Sequence, residues 1–222
     1  MKHFLYLGFA LILLSGEIKA QSGDFFFNGK GQPFLKNTNA DIDGSPYLTE
    51  KWLPGRVQTI KGKIYDNLKI KYDINTDDLL FAYDSADEPL KFSDEIRSFV
   101  IYMPEEMLFS NGFPAVDKQN HESYYRILSN GSTKFLKRYN KVIHETKVYN
   151  TINSTKAFQD FNLYYLFRNG KMEKVDNPKK TLYALAGDKK VQLDEFVKSN
   201  AVNFKKDEDL IKAFNFLNSL GI

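Results

Sequence analysis

The chain of 222 residues contains no cysteine. That excludes a disulfide framework, a thiol nucleophile and attachment through a lipid-modified cysteine, so the fold must be held by burial alone. Histidine is nearly as scarce: of the three present, His3 lies at the N-terminus just ahead of an apolar run, which leaves His121 and His144 for any histidine-bearing metal or acid/base site. Neither sits at ligand spacing. There is no Gly-x-Ser-x-Gly elbow and no His-x-x-x-His pair, so the commonest hydrolytic constellations are missing. A strong charge of one sign is also lacking. The formal net charge is +3 and falls to +2 once Lys2, Glu17 and Lys19 are removed, which argues against a nucleic-acid partner.

Long apolar runs are limited to Phe4–Leu14, about half of the roughly 20 residues a spanning helix needs. Lys2 and His3 precede this run, and Ser15, Gly16 and Ala20 follow it, an order that reads as a secretory signal over 1–20 cleaved after Ala20. The expectation is an exported chain, periplasmic, envelope-associated or secreted, with no transmembrane span after cleavage.

Phenylalanine and tyrosine are abundant, at 19 and 13 residues against a single tryptophan, and they favour pleated, half-buried surfaces. Segment 21–43, rich in Gly and Asn, reads as an extended N-terminal arm. The body, 44–176, is antiparallel β. Leu68, Ile70 and Tyr72 alternate with Lys69, Lys71 and Asp73 as one half-buried strand. Runs at 56–60, 63–65, 79–83 and 98–103, with turns at Lys61-Gly62, Asp66-Asn67 and 75–78, complete a meander. Asn130-Gly131 and Asn169-Gly170 each sit between strand-like runs and predict hairpins. From 177 the period changes: Asn177 caps Pro178, Leu193, Phe196 and Val197 share a helical face, and Leu210, Ala213, Phe214 and Leu217 form a stripe behind Asp207. The predicted class is α+β, a curved antiparallel sheet or partial barrel followed by about three C-terminal helices over 177–222.

Asn39, Asp41, Asp43, Gly44 and Glu50 match the spacing of a calcium loop, with ligands at positions one, three, five and twelve and a turn glycine at six. Position one is Asn, Pro46 stands where an apolar residue is usual, and no helix precedes the loop, so an Asx-rich turn is the competing reading. Calcium is the one cofactor the sequence suggests. The basic run Lys134, Lys137, Arg138 and Lys141 reads as a solvated strand face.

Gly44-Ser45-Pro46-Tyr47-Leu48, then Trp52, Pro54, Gly55 and Val57, resembles a family of exported bacterial cell-envelope proteins in which a signal peptide precedes a β-rich body and a Lys-rich helical end. The resemblance implies an envelope setting and brings no activity, cofactor or catalytic residue. In the residues themselves, Pro46 and Gly55 read as turn formers, with Tyr47, Leu48 and Trp52 packed on the sheet edge. Three functions follow as expectations. The first is a non-catalytic interaction or scaffold module presenting an aromatic face, with Tyr47, Trp52, Tyr124 and Tyr164 as its surface, to an envelope protein. The second is a carrier of a small apolar ligand in a sheet cavity. The third is a carboxylate-dependent enzyme, which 28 acids leave open.

Overall fold

A computed structural model describes residues 31–33, 41–82, 89–102, 104–147 and 154–222. The expected signal and most of the N-terminal arm lie outside the described residues. Two pieces of the arm lie within them, as strands β1 (Gly31–Pro33) and β2 (Ile42–Asp43).

The body begins with β3 (Leu53–Thr59), β4 (Ile64–Asp73), β5 (Asp78–Ala82), β6 (Leu90–Phe92), β7 (Ile96–Ile101) and β8 (Met107–Ser110). It continues with β9 (Tyr125–Ser129), β10 (Thr133–Arg138), β11 (Lys141–Lys147), β12 (Ser154–Asp160), β13 (Leu163–Arg168) and β14 (Lys171–Val175). Among the described residues, eleven strands form one antiparallel sheet in the order β1-β6-β5-β4-β3-β7-β8-β9-β10-β13-β14. This sheet is not closed, since β1 and β14 are its edges among the described residues. The meander expected over 55–103 is also interrupted: β4, β5 and β6 build outward on one side of β3, and the chain returns to place β7 on the other.

Asp66-Asn67, expected as a turn, is a bulge inside a continuous β4. Tyr65 and Leu68 are both buried although three residues apart, which a regular strand of period two forbids. An extra residue, with Asn67 at φ 56°, restores the phase, and the register with β3 shifts there from Leu68 opposite Gly55 to Tyr65 opposite Val57. Gly55 sets no turn either. It lies within β3, where an added Cβ would stand 2.3 Å from Ile70 Cδ1 and 2.5 Å from the Val100 carbonyl oxygen, so glycine is required for close approach.

The hairpin β13–β14 turns on Asn169 and Gly170, both left-handed at φ 50° and 72°, the pairing a type I′ turn demands. Helix α1 (Pro178–Ala186) starts as expected, the Asn177 side chain accepting a hydrogen bond from the Lys180 backbone N–H at 3.0 Å. The helix count differs from three. A single 3-10 turn, Gly187–Lys189, joins α1 directly to α2 (Lys190–Ser199), giving one uninterrupted helical run over 178–199, followed by α3 (Asp207–Ser219). Gly187, at φ 54°, absorbs the bend between α1 and α2 without an intervening loop.

Strands β9, β10 and β13 are covered on both faces. Phe135 and Leu166 point to the helices, packing with Leu182, Leu193, Leu210, Phe214 and Leu217. Leu136 and Tyr165 point the other way, packing with Phe113 and Tyr125. Phe135 and Phe214 stack with centroids 3.8 Å apart. The third cluster covers β3 to β8 and holds Val57, Ile70, Tyr72, Phe81, Phe99 and Phe109. Each such side chain contributes about 1.5–3 kcal/mol by leaving water.

Candidate functional site

The residues expected to bind calcium are not gathered. Asn39 lies outside the described residues, Asp41 and Glu50 are exposed, and Asp43 is drawn into β2, opposite Ala157. Ser45 Oγ accepts the Tyr47 backbone N–H at 3.2 Å, which makes the segment a turn. Among the described residues no group of three or more His, Asp or Glu could hold a metal ion. His121 and His144 are both exposed.

Nor do the expected surface aromatics form a face. Tyr47 is buried and bridges to Asp73 through its backbone, and Lys71 Nζ lies 4.9 Å from its ring centroid and 4.7 Å from that of half-buried Trp52. Tyr124 is in the core, donating its hydroxyl to the Ile96 carbonyl at 3.0 Å. Tyr164 stacks on Phe135 and donates to Asp207 at 2.8 Å. Tyr65, Tyr72, Phe81 and Phe99 of the β3–β7 region are buried as well. Of the four expected surface aromatics, Tyr47 and Tyr124 are buried and Trp52 and Tyr164 half-buried, each packed against neighbouring side chains.

A half-open cleft of about 540 Å³ lies between the β4–β5 turn and loop 111–124, lined among others by Asp77, Asp78, Glu95, Arg97, His121 and Glu122. Its lining is polar, unlike that of an apolar-ligand pocket. Both of its aspartates and its arginine are engaged, Asp77 with Arg138 at 2.8 Å, Asp78 with Lys91 at 2.8 Å, and Arg97 with Asn111, whereas Glu95 and Glu122 are exposed. Beneath it, Arg138 donates to Tyr72 Oη at 3.0 Å, to the Tyr124 carbonyl at 3.0 Å and to Gln119 at 3.1 Å. Burial acts to lower the Arg138 guanidinium, and Tyr72 and Asp77 outweigh it and raise the group overall. Burial, then Asp77, drives the Tyr72 phenol well above its ordinary value.

The surface that stands apart is the hairpin β11–β12. Its strands pair in register from Lys141 opposite Asp160 to Lys147 opposite Ser154. Every residue of β11 beyond Lys141 is exposed whichever face it takes, and on β12 only Ala157 and Phe158 are half-buried. A strand of a folded sheet ordinarily buries one face, so this hairpin projects from the body as an arm. Its root is fixed by Lys141 Nζ donating to the Ser45 carbonyl at 2.8 Å and by the Phe161 N–H donating to the Asn140 carbonyl at 2.8 Å. Val142, Ile143 and Phe161 retain exposures of 47%, 46% and 54%. Strand β2 covers the outer edge of β12, whereas the outer edge of β11 meets no strand among the described residues.

This arm is hard to see in the sequence, because neither strand alternates apolar and polar residues. The readable signal was charge: Lys141 and Glu145 on one strand face Asp160 and Lys156 on the other.

No protein-family model matches the chain, and no curated protein or solved structure matches it.

Proposed function

We propose that the protein is an exported, non-catalytic interaction module of the bacterial cell envelope, and that its docking element is the arm β11–β12. One observation carries the reading: an antiparallel hairpin exposed on both faces, with apolar side chains at Val142 and Ile143 and an outer edge on β11 that pairs with no strand among the described residues. Such an edge binds an added strand through main-chain hydrogen bonds, with alternate side chains supplying selectivity. Export rests on the order of charge and apolarity over 1–20, and the envelope setting on the motif at 44–57. The polar lining of the cleft favours this reading over an apolar-ligand carrier, and the engagement of Asp77 and Asp78 by cations favours it over a carboxylate enzyme.

The test is native mass spectrometry of the protein released gently from its host's envelope fraction, comparing the natural chain with Val142→Ser/Ile143→Ser. A stoichiometric protein adduct on the natural chain that the variant loses supports the reading. A bare monomer in both at every protein concentration overturns it.

A further inference from the structure

The arm's charge pattern selects a partner. Within each hairpin, Lys141 faces Asp160, Ile143 faces Phe158 and Glu145 faces Lys156. Residues 141, 143 and 145 of β11 share one face, and Val142 and His144 the other. When an antiparallel edge pairs with its own copy about a two-fold axis normal to the sheet, a residue lies opposite itself at the axis, and every other opposed pair sums to the same total. A two-fold at His144 would set Lys141 against Lys147 of the second copy, and one at Glu145 would set Glu145 against itself. Like charges directly opposite are destabilising.

A two-fold at Ile143 does the opposite. Ile143 meets Ile143 of the second copy, Val142 meets His144, and Lys141 meets Glu145. With β12 on either flank, the middle row across the four strands reads Phe158, Ile143, Ile143, Phe158. The rows beside it read Asp160, Lys141, Glu145, Lys156, with signs alternating at every step. Gly44 extends the middle row without covering it, since a Cβ there would only reach ordinary contact with Phe158 at 3.7 Å. On this basis, and resting on the reading of the arm as the docking element, we infer that β11 pairs antiparallel with β11 of a second copy of this chain, about a two-fold at Ile143, joining two arms into one four-stranded sheet. The paired stretch runs from Lys141 to Glu145 in each copy. Two arms of this size bury less than the roughly 1,200 Å² of stable complexes, so the dimer forms and dissociates with concentration.

Sedimentation velocity on the full purified chain across a wide concentration range tests this, with circular dichroism confirming that both variants stay folded, the one at the half-buried root Lys141 as well as the one at exposed Glu145. The natural chain shows a monomer–dimer equilibrium. Glu145→Lys opposes lysine to lysine at two symmetry-related positions, and Lys141→Glu opposes glutamate to glutamate, so each variant alone weakens the dimer about tenfold or more. Mixing the two variants restores a heterodimer: the glutamate introduced at position 141 of one copy meets the lysine introduced at position 145 of the other, and the unchanged Glu145 and Lys141 meet as before. A natural chain that stays monomeric, variants that dimerise as the natural chain does, or a mixture no tighter than its components would each overturn the self-pairing. A different protein held on the arm of a chain that never self-associates would overturn this inference while leaving the interaction reading intact.

Discussion

Arg138 of β10 and Asp77 of the β4–β5 turn hold each other at 2.8 Å, with the Arg138 side chain only 7% exposed. Asp77, itself in a left-handed conformation at φ 63°, also accepts hydrogen bonds from the Tyr72 hydroxyl and, at 3.3 Å, from the Tyr124 backbone N–H. The pair ties the turn on one half of the sheet to the strand on which the helices rest.

Removing one member leaves the other buried and uncompensated. Asp77→Ala is expected to lower stability by about 3 kcal/mol, in the range for broken buried pairs. Urea denaturation checks this through a lower midpoint at an unchanged slope.

Asp207 opens α3 and accepts from Lys137 Nζ at 2.6 Å and from the Tyr164 hydroxyl at 2.8 Å, so a single carboxylate docks the helix on β10 and β13. Tyr164→Phe removes one hydrogen bond, for an expected loss of about 1 kcal/mol. Asp207→Ala also strands the nearly buried Lys137 ammonium and costs about 3 kcal/mol. Thermal unfolding of the two variants side by side reads the difference.

Burial raises the Asp73 carboxyl above its ordinary value, against hydrogen bonds from the Thr76 and Asn75 backbone N–H groups. A carboxyl whose folded pKa exceeds its unfolded one favours the native state only while protonated, so its contribution falls as pH rises from the unfolded value, about 3.9, through the folded one. Asp73→Asn keeps the acceptor and loses the charge. The variant is expected to be the more stable at neutral pH, with the advantage vanishing below about pH 4. Urea midpoints across pH measure it, and a constant difference at all pH values would contradict it.

Glycine to alanine in a strand interior usually helps. At Gly55 the sign reverses, because the new methyl meets Ile70 and the Val100 carbonyl within 2.5 Å. The expected cost of Gly55→Ala is about 1–3 kcal/mol by overpacking, measured by the shift in urea midpoint.

Much of the local structure was legible from a few adjacent residues. Asn177 and Pro178 mark a helix start because one supplies the capping acceptor and the other needs no N–H, and the start is where they put it. Asn169-Gly170 encodes a left-handed pair, and the hairpin turns there. The stripe Leu210, Ala213, Phe214 and Leu217 is buried throughout. At Asp66-Asn67 the same turn chemistry gave a bulge, since the burial of Tyr65 and Leu68 on one face outweighs a local preference to reverse the chain.

By itself, then, the sequence determined the antiparallel β-rich class with a helical end, the main strand and helix periods, and the turn at Asn169-Gly170, whose residues take left-handed dihedrals readily. Which surfaces remain open was settled by long-range packing alone. Tyr47, Tyr124 and Tyr164 are partly apolar, partly polar side chains, equally suited to a binding face or a core, and it was the packing of loop 111–124 and the helices over the sheet that put Tyr124 in the core and half-buried Tyr164 against the helices. The plain, charge-bearing strand β11 was left outside beyond its root at Lys141, because burying Glu145 and Lys147 would cost more desolvation than the neighbouring Val142 and Ile143 return.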